Sequence, residues 1–210
     1  MFKNKPLFIT FEGIEGSGKS FHSKLLYKKL KKLNLPVVYI REPGGNSNAE
    51  AIRKVLLSGK KNKFDKTTDA LLILAARNEN ILHNIKPNLK KNKIIICDRF
   101  VDSTLAYQVN GFGVNKTMIN SVHKEILGSI KVNFTFVLNI NLQISKKRIL
   151  LKKDINRYDK FTPSFYNKVQ KSFLLNAKKN KKRYMIIDTS KNIKEVEKII
   201  FEKILLLLKK

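Results

Sequence analysis

The chain has 210 residues and carries 44 Lys and Arg against 16 Asp and Glu, which gives a formal net charge of +28. Its hydrophobic fraction of 42% is enough to build a core, and this excludes a disordered polycation. The single Cys excludes an internal disulfide framework and a Cys-based zinc site. We therefore predict one globular domain over residues 1–210, in a reducing compartment.

The apolar runs of the chain are too short for a membrane span, which requires roughly 20 residues. The amino terminus does not match a signal peptide, because the apolar run at residues 7–11 is followed directly by glycines. We predict a cytoplasmic protein that has no membrane partner.

The high positive charge has two interpretations. A positive field attracts nucleic acid, anionic membranes and phosphorylated small molecules. However, the lysines are spread through almost every segment, and the chain is also rich in Asn and Ile and has no Trp. An AT-rich genome gives that composition to any solvated surface. We therefore favour a compositional origin of the charge and predict no nucleic-acid partner.

Short apolar runs, rich in β-branched and aromatic residues, alternate along the chain with longer segments of helical period. The runs predict buried strands at residues 7–11, 37–40, 94–97, 134–140 and 184–187. The longer segments predict amphipathic helices that include residues 20–33, 67–89, 117–127 and Ile193–Leu208, the last docked on the sheet. The alternation predicts an α/β fold, a five-stranded parallel sheet with helices on both faces.

A glycine-rich segment follows the first predicted strand. At every defined position it matches the Walker A phosphate-binding pattern, with the sequence Gly13-Ile14-Glu15-Gly16-Ser17-Gly18-Lys19-Ser20. The glycines let backbone N–H groups turn inward around phosphate oxygens, and a helix that starts near Gly18 adds its dipole. Lys19 is placed to reach the β and γ phosphates, and the Ser20 hydroxyl to hold Mg²⁺. The segment predicts a nucleoside triphosphate site.

Two further strands end in charged pairs, at the edge of the sheet where open α/β proteins bind their ligands. Arg41 and Glu42 follow the second strand in an Arg-Glu-Pro-Gly-Gly turn, and Asp98 and Arg99 follow the third. Asp98 is placed to hold Mg²⁺ or its water, and Arg99 to bind a phosphate with two hydrogen bonds. A salt bridge that closes a loop is the alternative for each pair, and the pairs alone leave both interpretations open.

Arg77 follows a helical segment, residues 71–76, that is apolar on nearly all sides and is therefore predicted to be buried. A buried guanidinium requires either an internal carboxylate or a ligand as its partner. Beyond the third strand, Ser103, Tyr107 and Gln108 supply hydroxyl, phenol and amide groups of the kind that bind bases and sugars.

A basic segment at about residues 146–160 follows the fourth strand. It has the composition of a mobile lid that closes over a transferring phosphoryl group. Its candidate cations are Arg148, Lys152, Lys153 and Arg157. A solvated helix in so lysine-rich a chain has the same composition, so composition alone does not decide between the two.

These motifs together resemble the thymidylate kinase family, of bacterial type, over nearly the whole chain and in the family's order and spacing. The resemblance rests on Phe11-Glu12 before the Walker A loop, Arg41-Glu42-Pro43-Gly44-Gly45, Ala75-Ala76-Arg77, and Asp98-Arg99-Phe100 followed by Ser103-Thr104-Leu105-Ala106-Tyr107-Gln108. The second and the last of these are far more specific than the Walker A loop. The resemblance implies a P-loop kinase that phosphorylates dTMP to dTDP, with Mg-ATP as donor, in dTTP biosynthesis.

The resemblance implies that the Walker A loop, residues 13–20, holds ATP and that Lys19 is catalytic. Mg²⁺ would be held by Ser20, Glu15 and Asp98, partly through water. Glu15 would also act in catalysis, close to the sugar of the acceptor.

The same resemblance implies a dTMP site beside the loop. Arg99 would be catalytic and bind the acceptor phosphate between donor and nucleophile, with Arg41 helping to position that phosphate. Arg77 would read thymine. The remaining residues of the pocket would be Asp98, Ser103, Tyr107 and Gln108.

Family members without an arginine at the loop position of Ser17 carry their catalytic cation in the lid. Ser17 is uncharged. The resemblance therefore assigns this role to the lid cations, among which Arg157 aligns best. It also implies a homodimer, formed through the predicted helices at residues 67–89 and 117–127.

The chain departs from the family pattern in three places: at the thymine base, in the lid and at residues 109–113. Ile73 or Leu74, which offer apolar contact only, replace an aromatic residue that stacks on thymine. Lysines stand in the lid where arginines are common, so bidentate contacts are lost while the charge is kept. We expect a working but slower enzyme. The third departure follows Tyr107 and Gln108, where the family has Gly-x-Gly-Arg-Gly. This chain has Val109-Asn110-Gly111-Phe112-Gly113, which lacks the arginine.

Two alternative functions stay open from the residues alone: another nucleoside monophosphate or deoxynucleoside kinase, and a nucleic-acid-binding P-loop ATPase. The ATPase is the weaker alternative, because no acidic pair of the motor type follows the strand at residues 94–97. Two residues receive no role. Cys97 is predicted to be a small core residue and His22 to lie on a solvated surface.

Overall fold

One sheet of five parallel strands runs through the centre of the computed structural model, which describes residues 5–60 and 62–209. The strand order is β2-β3-β1-β4-β5. The strands are β1 (Leu7–Glu12), β2 (Val37–Arg41), β3 (Ile94–Asp98), β4 (Phe134–Asn139) and β5 (Tyr184–Asp188). This confirms the five predicted strands and the parallel α/β fold. Residues 1–4, 61 and 210 of the predicted domain lie outside the described residues.

Helices connect the strands and cover both faces of the sheet. Two π-helical segments, Ile81–Ile85 and Leu105–Gly111, follow α3 and α5, and a short 3₁₀-helix, Arg157–Lys160, lies in the predicted lid. The predicted helices did not include α2, α5, α7 or α8. The helices are α1 (Lys19–Lys32), α2 (Ser47–Leu57), α3 (Lys66–Asn80), α4 (Lys86–Lys90), α5 (Val101–Thr104), α6 (Lys116–Leu127), α7 (Leu142–Leu150), α8 (Pro163–Lys179) and α9 (Ile193–Leu208).

Alternate residues of the central strand pack on opposite faces of the sheet. On one face, Ile9 and Phe11 of β1 belong to a cluster with residues of α1 and α9, among them Leu30 and Ile204. On the other face, Phe8 belongs to a cluster with β3 and the first π-helical segment. Because helices cover both faces, β3 is buried along its whole length.

The register of β1, β3 and β2 places their carboxyl ends side by side. Phe11 of β1 lies beside Asp98 of β3, and Asp98 lies beside Arg41 of β2. The segments that follow these strands are the Walker A loop, the Arg-Glu-Pro-Gly-Gly turn and the segment that begins at Arg99. They therefore meet at one edge of the sheet.

Helix α9 docks on the sheet, as predicted. Val196, Ile200, Ile204 and Leu208 are buried at a spacing of four residues and belong to the core cluster that contains β1. Among the described residues, no helix is both long enough and apolar enough to span a membrane.

The predicted helix at residues 67–89 is instead divided into α3, a π-helical segment and α4. Pro87 has no N–H to donate to the carbonyl of residue 83, and the wider π turn lies directly before it. The prediction that residues 71–76 are buried on nearly all sides is also wrong, because Leu71 is 48% exposed. Helix α3 packs against α2 and α6, and it exposes Leu71 and Ala75.

The two residues without a predicted role have different outcomes. Cys97 is buried in β3, as predicted. The prediction of a solvated His22 is wrong, because α9 packs against α1 and encloses the imidazole beside Glu197 and Phe201. Burial lowers the pKa of His22.

Replacing Ile204 by Ala is expected to lower the free energy of unfolding by about 2–5 kcal/mol, because the side chain is fully buried between α9 and the sheet. The matched control is Ile193→Ala at the start of the same helix, where the side chain is 53% exposed. A change within about 0.5 kcal/mol is expected there. Denaturant unfolding followed by circular dichroism measures both, and equal losses would contradict the docking of α9.

Candidate active site

A cavity of about 370 Å³ lies at the carboxyl edge of β1, β2 and β3. Its walls come from the Walker A loop, the Arg-Glu-Pro-Gly-Gly turn, α3, the segment after β3, and the predicted lid. The predicted site residues in its lining are Glu15, Gly16, Gly18, Lys19, Ser20, Arg41, Arg77, Asp98, Arg99, Ser103, Tyr107, Gln108 and Lys152. Those outside the lining are Gly13, Ile14, Ser17, Arg148, Lys153 and Arg157.

The backbone of the Walker A loop depends on glycine. Gly16 has a φ of 72°, and a Cβ there would lie only 2.7 Å from the carbonyl oxygen of Ser145, so a larger residue would not fit. Helix α1 begins directly after Gly18, which offers no side chain to cap its first N–H groups. Such N–H groups, with the positive end of the helix dipole, bind anions.

Lys19 is buried at the floor of the loop, and its Nζ donates a hydrogen bond to the carbonyl oxygen of Ile14 at 2.6 Å. Burial and then the nearby charge of Arg99 lower the pKa of Lys19 to about 7. Phosphate oxygens bound between the two cations would stabilise the charged form of Lys19. The electrostatics of the loop therefore fit a polyanionic ligand.

Two hard oxygen ligands lie together beside the loop. The Ser20 hydroxyl donates a hydrogen bond to Asp98 Oδ2, while the buried Oδ1 of Asp98 has no hydrogen-bond partner among the described residues. Within residues 5–60 and 62–209, no group of three or more His, Cys, Asp or Glu could hold a metal ion. This donor set fits Mg²⁺, which binds through one or two protein oxygens together with substrate phosphates and water.

Arg99 is held by contacts to the Walker A loop and to the segment after β3. Its Nη2 donates to Glu15 Oε1 at 2.7 Å, and its Nη1 donates to the Gly13 carbonyl at 3.1 Å and to Ser103 Oγ at 3.2 Å. The Tyr107 hydroxyl donates to the other oxygen of Glu15. Both oxygens of Glu15 are therefore occupied, and the carboxylate fixes the position of Arg99 in the cavity wall.

Glu12 supports the same segment, and the sequence analysis assigned it no role. Its Oε1 accepts from the Phe100 N–H at 2.8 Å, and its Oε2 accepts from Ser103 Oγ at 2.6 Å. Burial and then the charge of Asp102 raise the pKa of Glu12 to about 7. In the sequence, a role for Glu12 was indicated only by the position of its carboxyl group at the end of a mainly apolar predicted strand.

Arg77 is 1% exposed and has four acceptors, which lie on the turn after β2, on the segment after β3 and on α6. Its guanidinium donates to Glu42 Oε2 at 2.7 Å, to Thr104 Oγ1 at 2.7 Å, to His123 Nε2 at 2.7 Å and to the Phe100 carbonyl at 3.0 Å. The sequence required a partner for Arg77 but did not identify one. No local sequence pattern identifies His123 as a partner, because it lies 46 residues from Arg77 along the chain.

Arg41 is exposed, and its Nη2 donates to both carboxylate oxygens of Glu50, at 2.8 and 2.9 Å. The Gly45 N–H donates to the same carboxylate at 2.9 Å. A salt bridge therefore does close this turn, although the partner comes from α2 and not from the adjacent Glu42. Arg41 still lines the cavity.

The lid cations lie in different environments. Lys152 lines the cavity and pairs with Asp159, whereas Arg157 is 3% exposed and pairs with Asp69 of α3. The Tyr158 hydroxyl donates to the same Asp69 carboxylate at 2.6 Å. Because a buried carboxylate requires a cation, Asp69 draws Arg157 away from the cavity lining.

The other two lid cations do not line the cavity. Arg148 donates to the carbonyl oxygens of Gly16 at 3.3 Å and Thr189 at 3.0 Å, so it joins α7 to the Walker A loop. Lys153 is exposed.

The residues that depart from the family pattern also have defined places. Ile73 lines the cavity, where it offers apolar contact. Phe112 packs on the rings of Phe161 and Phe165, with centroid distances of 5.2 and 4.7 Å. It therefore joins the end of the second π-helical segment to the lid and to α8.

Comparisons with known proteins identify relatives of this chain. The family model for thymidylate kinase matches residues 11–200. A thymidylate kinase of Wolbachia pipientis wMel is 43% identical over 203 residues, which cover 94% of this chain and 100% of that protein. A thymidylate kinase of Mycoplasma capricolum is 38% identical over 204 residues, which cover 94% of this chain and 96% of that protein.

The crystal structure of thymidylate kinase from Ehrlichia chaffeensis has the same fold. It matches with a TM-score of 0.78 and 31% sequence identity, over 95% of this chain and 99% of that chain. The residues matched by the family model include all those that line the cavity. The chain therefore belongs to the thymidylate kinase family.

Proposed function

We propose that this chain phosphorylates dTMP to dTDP in the cavity described above, with Mg-ATP as the phosphoryl donor. As a member of the thymidylate kinase family it is an ATP-dependent phosphotransferase of nucleotide biosynthesis. One observation carries the assignment of the site. The Walker A loop, the buried Arg77 and the partly buried Arg99 line a single cavity, so donor and acceptor phosphates can meet there.

The donor site is the Walker A loop. The N–H groups of residues 13–20 and the Nζ of Lys19 bind the ATP phosphates. Ser20 and Asp98 would hold Mg²⁺, which when bound neutralises charge on the phosphate oxygens. The oxygens of Glu15 are engaged by Arg99 and Tyr107, which supports a role for Glu15 in positioning Arg99.

The acceptor site lies on the other side of Arg99. Arg99 binds the dTMP phosphate, Arg41 helps to position it and Arg77 reads the base. Gln108 is buried, and its Nε2 has no partner among the described residues, which supports a hydrogen bond from this amide to the nucleoside. The other residues that line the nucleoside pocket are Ser103 and Tyr107.

Phosphoryl transfer in this site needs no strong general base, because the attacking dTMP phosphate is already an anion. Catalysis therefore rests on in-line positioning and on cations that neutralise charge spread over the transferring oxygens. Lys19 and Arg99 supply two of these cations. Among the lid residues Lys152 supplies the third, because it lines the cavity while Arg157 is paired with Asp69.

The proposal includes a homodimer and a cytoplasmic location. The face of α3 that carries Leu71 and Ala75, one turn apart, is exposed, and α2, which packs on α3, exposes Val55. Apolar side chains grouped in this way support an interface on α3. The apolar residues of α6 pack mainly inside the subunit, so they support that interface less. The single Cys supports the location.

Activity on a panel of acceptors tests the function. In a coupled assay with Mg-ATP and dTMP, dUMP, UMP, CMP, GMP, AMP or thymidine, the highest kcat/KM is expected with dTMP. EDTA is expected to abolish transfer and excess Mg²⁺ to restore it. A clear preference for any other acceptor would overturn the proposal.

Replacing Lys152 by Met is expected to lower kcat by about 10²–10³-fold, the range for one lost group that stabilises transition-state charge. The control is Lys160→Met, an exposed lid lysine outside the cavity lining, for which near-normal kcat is expected. Steady-state kinetics at saturating ATP and dTMP measure both. Equal kcat values in the two variants would show that Lys152 is not the lid cation.

Replacing Leu71 by Glu is expected to convert the dimer to a monomer, because the substitution buries a charge in the proposed interface. Leu206→Glu on α9, where the leucine is 58% exposed, is the control and is expected to leave the dimer intact. Size-exclusion chromatography with light scattering measures the mass of each. A monomeric wild-type chain would rule out the interface.

A further inference from the structure

We propose that His123 is a positioning residue that determines which hydrogen of Arg77 reads the base of the acceptor nucleotide. His123 lies on α6 and does not line the cavity among the described residues. The inference rests on the proposed function, in which Arg77 reads the base of dTMP.

The guanidinium of Arg77 has five N–H hydrogens and no acceptor. Nε uses its hydrogen on Glu42 Oε2, and Nη2 uses one hydrogen on the Phe100 carbonyl. Nη1 uses both of its hydrogens, one on Thr104 Oγ1 and one on His123 Nε2. Among the described contacts, a single hydrogen remains for a ligand, and it is on Nη2.

The contact with Arg77 also determines the tautomer of the His123 imidazole. Because Arg77 can only donate, His123 must accept through an unprotonated Nε2, and its single proton is therefore on Nδ1. Burial and then the charge of Arg77 lower the pKa of His123 to about 3. The histidine stays neutral and accepts at every pH at which the enzyme would work.

A fixed N–H donor discriminates between bases at one position. It pairs with the carbonyl oxygen at C4 of thymine, while the amino group at C4 of cytosine would place a donor against a donor. If His123 no longer accepts, Nη1 regains a free hydrogen. Arg77 then has two hydrogens without a protein partner among the described residues and one contact fewer to fix its orientation, so the discrimination at C4 weakens.

His123 can be replaced without altering the cavity wall, unlike the other acceptors of Arg77. Glu42 and Thr104 line the cavity themselves, and the contact from Phe100 is a backbone carbonyl. His123 is 7% exposed and does not line the cavity formed by the described residues. It contacts Arg77 from α6, which packs against α3. Any change in base discrimination in a His123 variant must therefore pass through Arg77.

The test compares His123→Leu, which removes the acceptor, with His123→Gln, whose amide oxygen can take the place of Nε2. For His123→Leu, the ratio of kcat/KM for dTMP to kcat/KM for dCMP is expected to fall at least about 10-fold, about 1.4 kcal/mol of discrimination. The loss is expected in the KM for dTMP, with the KM for ATP unchanged. His123→Gln is expected to keep the ratio within about threefold of wild type.

His83→Leu, which replaces an exposed histidine, is the matched control and is expected to leave the ratio unchanged. If His123→Leu does not fold, as judged by thermal unfolding, His123→Asn replaces it, because the shorter amide does not reach Nη1, and the same fall is expected. An unchanged ratio in a folded Leu or Asn variant would overturn the inference, as would an equal loss in His123→Gln. A wild-type chain without activity on dTMP would instead overturn the proposed function.

Discussion

A guanidinium buried away from water must be paired, and the site of this kinase depends on that constraint. Three buried or partly buried arginines pair with carboxylates on other elements: Arg77 with Glu42, Arg99 with Glu15 and Arg157 with Asp69. Leaving one partner alone in a low-dielectric interior is strongly destabilising. Each pair therefore fixes the relative position of two segments of the cavity wall.

The scarce acidic residues of this basic chain are concentrated inside it. Of the 16 acidic residues, seven are buried, and most of them pair with arginine or lysine around the cavity. They are Glu12, Glu15, Glu42, Asp69, Asp98, Asp102 and Asp159. The positive excess consequently lies mostly on the surface, where it attracts anionic substrates without a specific contact.

Packing gives the lid cations different places in the structure. Its lysines and Arg157 are alike in charge, and only their neighbours separate them. Asp69 in the first turn of α3 pairs with Arg157, and Phe112 packs on Phe161 directly after the lid. These contacts join this part of the lid to α3 and to the end of the second π-helical segment. Lys152 is left to line the cavity. The same packing gives Phe112 a structural place at a position where the family pattern has an arginine.

Local patterns in the sequence predict the five strands, the Walker A loop and the charged residues at the carboxyl ends of β2 and β3. These features follow from alternation, helical period and glycine spacing, which act over a few neighbouring residues. Only the tertiary structure decided the partner of Arg77, the pairing of Arg157 with Asp69 and the burial of His22 beneath α9. Those contacts join residues that are distant along the chain, 35 positions apart for Glu42 with Arg77 and 88 for Asp69 with Arg157. The order of strands in the sheet and the packing of helices on it select such partners, and no local pattern encodes either.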